Sequence, residues 1–252
     1  MAQQGFVYEE NVAEYLKPYK LVPAEFKPAG AGHGQPDLML KYNKTKAGCE
    51  LKITDASAGS LVLKYNPKTK KWGFGNIAPE EKEKQFIKEL AEFVGLFKII
   101  GKQWNNTPWK VDKEFQDAAW QGRVGKYKNN PRAQYERDHK LFPELKGSIP
   151  AKKIEEYYNK KDTFYVNIGT HGFYLFGTDN PLKLKNVPLF STSAEAGWRA
   201  RVQSKGGGAY QFTFEMSFRV RQKSPYNIGP LKKGSGVTIQ KNDVDLSCFP
   251  NL

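Results

Sequence analysis

Two acidic residues and a lysine, Asp37, Glu50 and Lys52, form the pattern in this sequence from which chemistry can be predicted. One residue separates Glu50 from Lys52, so in a β-strand both side chains lie on one face, while Leu51 points to the other. Asp37 opens a second short apolar segment, and pairing of the two segments would bring its side chain to the same face. Two close carboxylates disfavour each other's ionisation, and a divalent cation relieves that repulsion. The pattern therefore predicts an oxygen-lined site for Mg²⁺.

The chemistry expected of such a site is phosphodiester hydrolysis. A metal held by Asp37 and Glu50 would polarise a phosphoryl oxygen and activate a water for in-line attack. Lys52 would orient that water or stabilise the negative charge that develops on the phosphoryl oxygens. The backbone carbonyl of Leu51 is a further candidate ligand, and Mn²⁺ is expected to substitute for Mg²⁺.

A helix predicted over residues 5–18 supplies a fourth candidate, Glu9. The apolar residues that recur at helical spacing around it are Phe6, Val12, Ala13 and Leu16. A carboxylate on the inward stripe of a helix is costly unless it is paired or bound to a metal. Glu9 is therefore expected to complete or orient the metal and water shell, whereas Glu10 and Glu14 are expected in solvent.

The elements that must position these residues follow from local patterns. Residues 37–41 and 48–54 are predicted strands joined by a turn, and 61–65 and 72–77 a hairpin. A helix is predicted from Pro79 to about Lys98, with proline and acids in its first turn. The first 100 residues thus predict a mixed α/β unit: a helix, a small sheet and a second helix.

With these elements in place, the N-terminal part resembles the PD-(D/E)xK nuclease superfamily, and within it most closely the archaeal Holliday junction resolvase type. The residues that match are Gly5 and Glu9 on the helix, Pro36 and Asp37 at the strand opening, and Glu50 and Lys52. The resemblance covers roughly residues 5–64. It implies a restriction-endonuclease-like α/β core and cleavage that leaves 5′-phosphate and 3′-hydroxyl ends.

The rest of the chain predicts two further regions. Residues 101–149 are basic and rich in aromatics, and are interpreted as a connecting region with helices at Asp112–Gln121 and Arg132–Leu141. A β-rich C-terminal module is predicted over 150–252, after a helix at 150–159. Its expected strands are 163–168, 172–176, 197–203 and 209–222. The predicted domains are therefore 1–100, 101–149 and 150–252.

Alternation in the last two predicted strands places four arginines opposite the apolar residues. These candidates for DNA binding are Arg199, Arg201, Arg219 and Arg221. If the strands pair, the arginines would form one basic ridge able to contact phosphates and guanine edges; a solvated cationic face is the alternative. His33, in the glycine-rich loop before Asp37, is a candidate DNA contact, with a passive loop position as the favoured alternative.

Charge indicates the class of partner. The formal net charge is +14, and 25 of the 40 Lys and Arg residues lie after residue 100. Polyanions attract such a chain, so DNA or RNA is the expected class of partner, and the nuclease resemblance makes double-stranded DNA the expected substrate. No apolar run approaches the roughly 20 residues that cross a bilayer. With two cysteines and no secretory signal pattern, an intracellular, cytoplasmic protein is expected, encoded by a cell or by a virus or phage.

Two classes of function remain open at this stage. The first is a Mg²⁺-dependent DNA endonuclease, expected to act as a homodimer because cutting both strands uses two sites. Within this class the arginines favour a sequence-specific restriction or homing enzyme over a structure-selective junction nuclease. The second class is a non-catalytic DNA-binding protein whose charges serve only binding.

Overall fold

The fold is described from a computed structural model. The described residues are 2–26, 35–54, 57–66, 68–104, 125–126, 131–206, 209–230 and 244–252. His33 with its glycine-rich loop and the helix predicted at Asp112–Gln121 lie outside these residues. Within the described part of the chain, no helix is both long enough and apolar enough to span a membrane.

The described residues form both helices and strands. The helices are α1 (Ala2–Leu16), α2 (Lys82–Phe93), α3 (Leu96–Gln103), α4 (Pro131–Leu141), α5 (Ala151–Asn159) and α6 (Phe190–Ser193). The strands of the first half are β1 (Leu38–Tyr42), β2 (Thr45–Lys52), β3 (Ser57–Asn66), β4 (Lys71–Phe74) and β5 (Gly125–Lys126). Those of the second half are β6 (Leu145–Ile149), β7 (Thr163–Ile168), β8 (Gly172–Leu175), β9 (Ala194–Gly206) and β10 (Ala209–Val220).

The chain forms two compact units, and neither is continuous in sequence. The first unit consists of Met1–Ala56, Pro150–Ala196 and Phe218–Leu252. The second unit consists of Ser57–Ile149 and Gly197–Ser217. This division differs from the three consecutive domains predicted above. The physical reason is that β2 pairs in parallel with β7, more than 100 residues later, so the predicted nuclease strands and part of the predicted C-terminal module share one sheet.

The sheet of the first unit has the strand order β1-β2-β7-β8. The pairs β1–β2 and β7–β8 are antiparallel. On one face, α1 packs through Tyr8, Val12 and Leu16, which are almost fully buried. Burial of each such side chain stabilises the fold by about 1.5–3 kcal/mol, which is why this amphipathic segment docks as a helix. Phe6, which the spacing predicted on the same stripe, is instead exposed.

The sheet of the second unit has the order β4-β3-β10-β9-β6, and β5 pairs with β10. The strands β9 and β10 each pass from one unit to the other. One face is covered by an aromatic core, in which Trp72 lies 5.1 Å from Trp104 and 5.0 Å from Phe212, centroid to centroid. The strand β6 was not predicted, since its sequence Leu-Lys-Gly-Ser-Ile has no clear alternation.

The helix predicted from Pro79 to Lys98 is two helices, α2 and α3. Gly95 separates them with φ +67°, a left-handed conformation that favours glycine, and its N–H donates to the Glu92 carbonyl. The α2 helix ends because this turn satisfies its last carbonyls, and α3 then restarts in a new direction. The short strands and the hairpin of the first 100 residues were predicted in their observed places.

Candidate active site

A tight hairpin brings Asp37 beside Glu50. The strands β1 and β2 are antiparallel with Leu38 opposite Cys49, so Asp37, one residue earlier, faces Glu50. The two turn residues, Asn43 and Lys44, both have positive φ, as a type I′ turn requires, and this turn fixes the register. The Leu51 N–H donates to Asp37 Oδ2 over 2.8 Å.

Lys52 contacts both carboxylates. Its Nζ lies 2.5 Å from Glu50 Oε1 and 3.8 Å from Asp37 Oδ2. Alternation along β2 accounts for this, because Glu50 and Lys52 lie on one face while Cys49 and Leu51 are buried on the other. We name Asp37, Glu50 and Lys52 the carboxylate site. The side chain of Glu50 is 8% exposed, and that of Lys52 is 20% exposed.

Glu9 lies at the edge of the buried stripe of α1 rather than within it. Its side chain is half-buried, whereas Glu10 and Glu14 are exposed, as the helical spacing predicted. Burial raises the pKa of Glu9, Lys52 lowers it, and Glu50 and Glu10 raise it again. Glu9 therefore lies within electrostatic reach of the carboxylate site.

The pKa of Asp37 departs strongly from its ordinary value. Burial and then the charge of Glu50 raise its pKa to about 7, and Glu9 acts in the same direction. Lys52 and the Leu51 N–H oppose the shift, because both stabilise the ionised carboxylate. The site thus holds two close carboxyl groups beside one lysine, and its surroundings disfavour the ionised form of Asp37.

Tyr158 is a member of the site that the sequence pattern did not reveal. Its hydroxyl donates to Glu50 Oε1 over 3.3 Å, across 108 residues of sequence. The ring is stacked on Phe176 with centroids 4.6 Å apart and planes at 4°, which fixes the hydroxyl. The available signal was the apolar side of α5, where Tyr158 follows Ile154 by one turn, but that signal predicts burial without naming a partner.

The chemistry of the donors is compatible with a hard divalent cation. Asp37 and Glu50 present carboxyl oxygens at one place, and a bound cation would favour the ionised form of Asp37 that burial disfavours. In the described part of the chain, no group of three His, Cys, Asp or Glu side chains is assembled to hold a metal ion. The two carboxylates are therefore the side-chain donors that fit, and Glu9 lies near them without completing a set of three.

The predicted arginine ridge is not what the structure shows. Arg199 Nε donates to Glu215 Oε2 over 2.6 Å, and Arg201 Nη2 lies 3.2 Å from the same oxygen. Glu215 is 3% exposed, and Thr213 beside it is also buried. We name Arg199, Arg201 and Glu215 the arginine cluster. Alternation along β10 places Glu215 on the face of the arginines, and because Glu215 is buried there, its carboxylate pairs with both Arg199 and Arg201.

The other two predicted DNA contacts belong to the first unit. Arg219 is exposed on β10, and Arg221 forms an ion pair with Glu195. Three of the four predicted arginines, Arg199, Arg201 and Arg221, are therefore paired with carboxylates, and Arg219 is exposed.

The comparisons with known proteins give one similarity. No family model and no curated protein matches the chain. Among solved structures, the chain is similar to HhaI endonuclease in complex with DNA, with 11% sequence identity and a TM-score of 0.39. The match covers 84% of this chain and 89% of that chain.

Proposed function

We propose that the protein is a Mg²⁺-dependent DNA endonuclease. The observation that carries the proposal is the meeting of Asp37, Glu50 and Lys52 on one face of the first sheet. The net charge of +14 supports a polyanionic substrate. The sequence resemblance supports cleavage to 5′-phosphate and 3′-hydroxyl ends, and a homodimer would supply the two sites that double-strand cutting uses.

In this mechanism Asp37 and Glu50 would hold the cation, with the Leu51 carbonyl as a further donor. The cation would supply charge stabilisation at the phosphate and a more acidic water. Lys52 would orient the attacking water and stabilise the charge on the phosphoryl oxygens as the bond from phosphorus to the 3′-oxygen breaks. Tyr158 would fix the rotamer of Glu50, and Glu9 would orient water at the edge of the site.

The deciding experiment incubates supercoiled plasmid with the protein in Mg²⁺, Mn²⁺, Ca²⁺ or EDTA. We expect nicking or linearisation in Mg²⁺ and Mn²⁺, and nicks that DNA ligase reseals. Lys52→Ala should slow cutting by at least about 10²-fold, as loss of a transition-state group does, while affinity for DNA in Ca²⁺ stays the same. Lys46→Ala, an exposed lysine on the same strand, is the matched control and should cut at the wild-type rate.

Two results would contradict the proposal. Plasmid that stays intact in every metal would favour the second candidate, a non-catalytic DNA-binding protein, which the strong positive charge also supports. Cutting by Lys52→Ala at the wild-type rate would remove Lys52 from the mechanism. Mapping of the cut positions would then separate a fixed sequence motif from a preference for branched DNA.

A further inference from the structure

A groove on the β3–β4 hairpin of the second unit combines cationic and amide side chains. Its volume is about 570 Å³. Its lining residues are Lys64, Asn66, Thr69, Lys71, Trp72, Gly73, Phe74 and Asn76. No part of the carboxylate site and none of the predicted DNA contacts is among them. The groove therefore does not overlap the carboxylate site or those predicted contacts.

The strand register explains how the groove forms. Lys64 lies opposite Gly73, and Asn66 lies opposite Lys71, so these residues share one face of the hairpin. Lys64 and Lys71 are diagonal neighbours, with their backbone positions about 7–8 Å apart. A Cβ placed on Gly73 would meet nothing within 4 Å, so the floor between the lysines is open. The hairpin thus presents two ammonium groups around a gap in the strand surface.

The groove is built on a rigid base. Trp72 and Phe74 line the groove and are fixed by packing: Trp72 packs edge-on against Tyr65 with centroids 5.3 Å apart, and Phe74 packs edge-on against Phe97 at 4.8 Å. At the turn, Asn66 Oδ1 accepts hydrogen bonds from the N–H groups of Lys68 and Thr69. The groove therefore offers charge and hydrogen-bond donors on a base of packed aromatic rings.

The same face of the sheet carries the arginine cluster. Val62 lies opposite Thr213 in the β3–β10 pair, so Lys64, two residues after Val62, is on the face of Thr213 and Glu215. Arg199 and Arg201 reach Glu215 on that face. In contrast to these arginines, Lys64 and Lys71 form no ion pair with a residue that the structure describes. The ammonium groups of Lys64 and Lys71 can therefore bind an anionic ligand at this face.

We propose that this groove, which we call the lysine groove, binds the sugar-phosphate backbone of duplex DNA. Lysine acts on phosphate as a point charge, and amide and hydroxyl groups donate to phosphate and sugar oxygens. The contact positions DNA without reading its sequence. The proposal rests on the proposed function only for the choice of duplex DNA as ligand, and it adds a second surface for the same substrate.

The test is a fluorescence-anisotropy titration of a labelled duplex at several salt concentrations, in EDTA so that no cutting occurs. Lys64→Gln/Lys71→Gln should make the negative slope of log affinity against log salt shallower by roughly 1.8, which corresponds to two lost phosphate contacts. Gly73→Val adds bulk to the groove floor without changing charge and suits a strand, so it should weaken binding as well. The matched control, Lys98→Gln/Lys102→Gln, removes the same charge from α3 of the same unit.

The proposal is overturned if the groove variants bind with the affinity and slope of the control, or if the wild-type protein does not bind the duplex. Circular dichroism and thermal melting verify that each variant is folded. Because no cutting enters the titration, groove-dependent binding by a protein that never cuts would refute the nuclease and keep the groove. If the groove variants cut normally and bind DNA as the wild type does, the groove proposal is refuted and the nuclease proposal stands.

Discussion

The carboxylate site and the arginine cluster use the same kinds of side chain in opposite proportion. In the first, Asp37 and Glu50 share one ammonium, that of Lys52. In the second, the buried carboxylate of Glu215 holds two guanidinium groups. Both lie on strand faces where an unpaired charge would be costly. The first arrangement leaves negative charge for a cation to neutralise, and the second leaves positive charge facing an anion.

The two sites differ in the proportion of acidic to basic groups as well as in burial. Burial, and then the charge of Glu50, raise the pKa of Asp37 to about 7, and Lys52 offsets only part of this shift. At the rim of the arginine cluster, Glu144 Oε2 lies 3.9 Å from Arg201 Nη1, and such a partly exposed pair contributes little. The proposed cation site and the proposed surface for anions would thus arise from one kind of structure.

The largest effect on stability is expected when Glu215, the carboxylate of the arginine cluster, is replaced. Glu215→Gln keeps the shape but removes the charge that holds Arg199 and Arg201, so the free energy of unfolding should fall by about 2–3 kcal/mol. Urea denaturation followed by circular dichroism measures it. The control is Glu195→Gln, whose partner Arg221 is largely exposed, and its cost should lie within about 1 kcal/mol. Equal losses in the two variants would mean that the buried cluster adds nothing beyond a surface pair.

A smaller effect is expected in the pH dependence of stability at Asp37. Its pKa is raised in the folded protein, so between about pH 4 and 7 the folded state binds a proton that the unfolded state has released. The free energy of unfolding should therefore decrease as pH rises through this window, by at most about 1.4 kcal/mol per pH unit.

Asp37→Asn removes this contribution, so its stability in EDTA should depend less steeply on pH and exceed that of the wild type above pH 7. Adding Ca²⁺ should stabilise the wild type above pH 7 more than below pH 5, because the cation binds the ionised carboxylates. Urea titrations across pH 4–8 measure both effects. A variant whose slope matches the wild type would show that Asp37 carries no excess negative charge.

The smallest effect on stability and on cutting is expected when the hydroxyl of Tyr158 is removed. This variant tests whether Tyr158 belongs to the carboxylate site. Tyr158→Phe keeps the stacking on Phe176 but removes the hydrogen bond to Glu50, so the free energy of unfolding should fall by about 1 kcal/mol. Cutting of plasmid should slow several-fold, roughly in line with that energy. Tyr42→Phe is the control, since its buried hydroxyl has no hydrogen-bond partner among the residues that the structure describes. If both variants cut at the wild-type rate, Tyr158 does not position Glu50.

Local patterns were sufficient where neighbouring residues form the structure. The α1 helix, the β1–β2 hairpin and the alternation that places Glu50 beside Lys52 were all predicted, because each depends on a turn or a repeat within a few residues. The break at Gly95 was missed although its signal was present, since a glycine after Val94 is a normal helix end.

The sequence by itself determined which residues could meet in the carboxylate site, because Asp37, Glu50 and Lys52 are joined by one short hairpin. Only the tertiary structure decided that β7 pairs in parallel with β2, that Tyr158 reaches Glu50, and that Glu215 is buried. These contacts link residues distant in sequence, and no local periodicity encodes which distant strand or helix covers a face. Burial then decided the outcome at Glu215, since a buried carboxylate must be paired and both Arg199 and Arg201 pair with it.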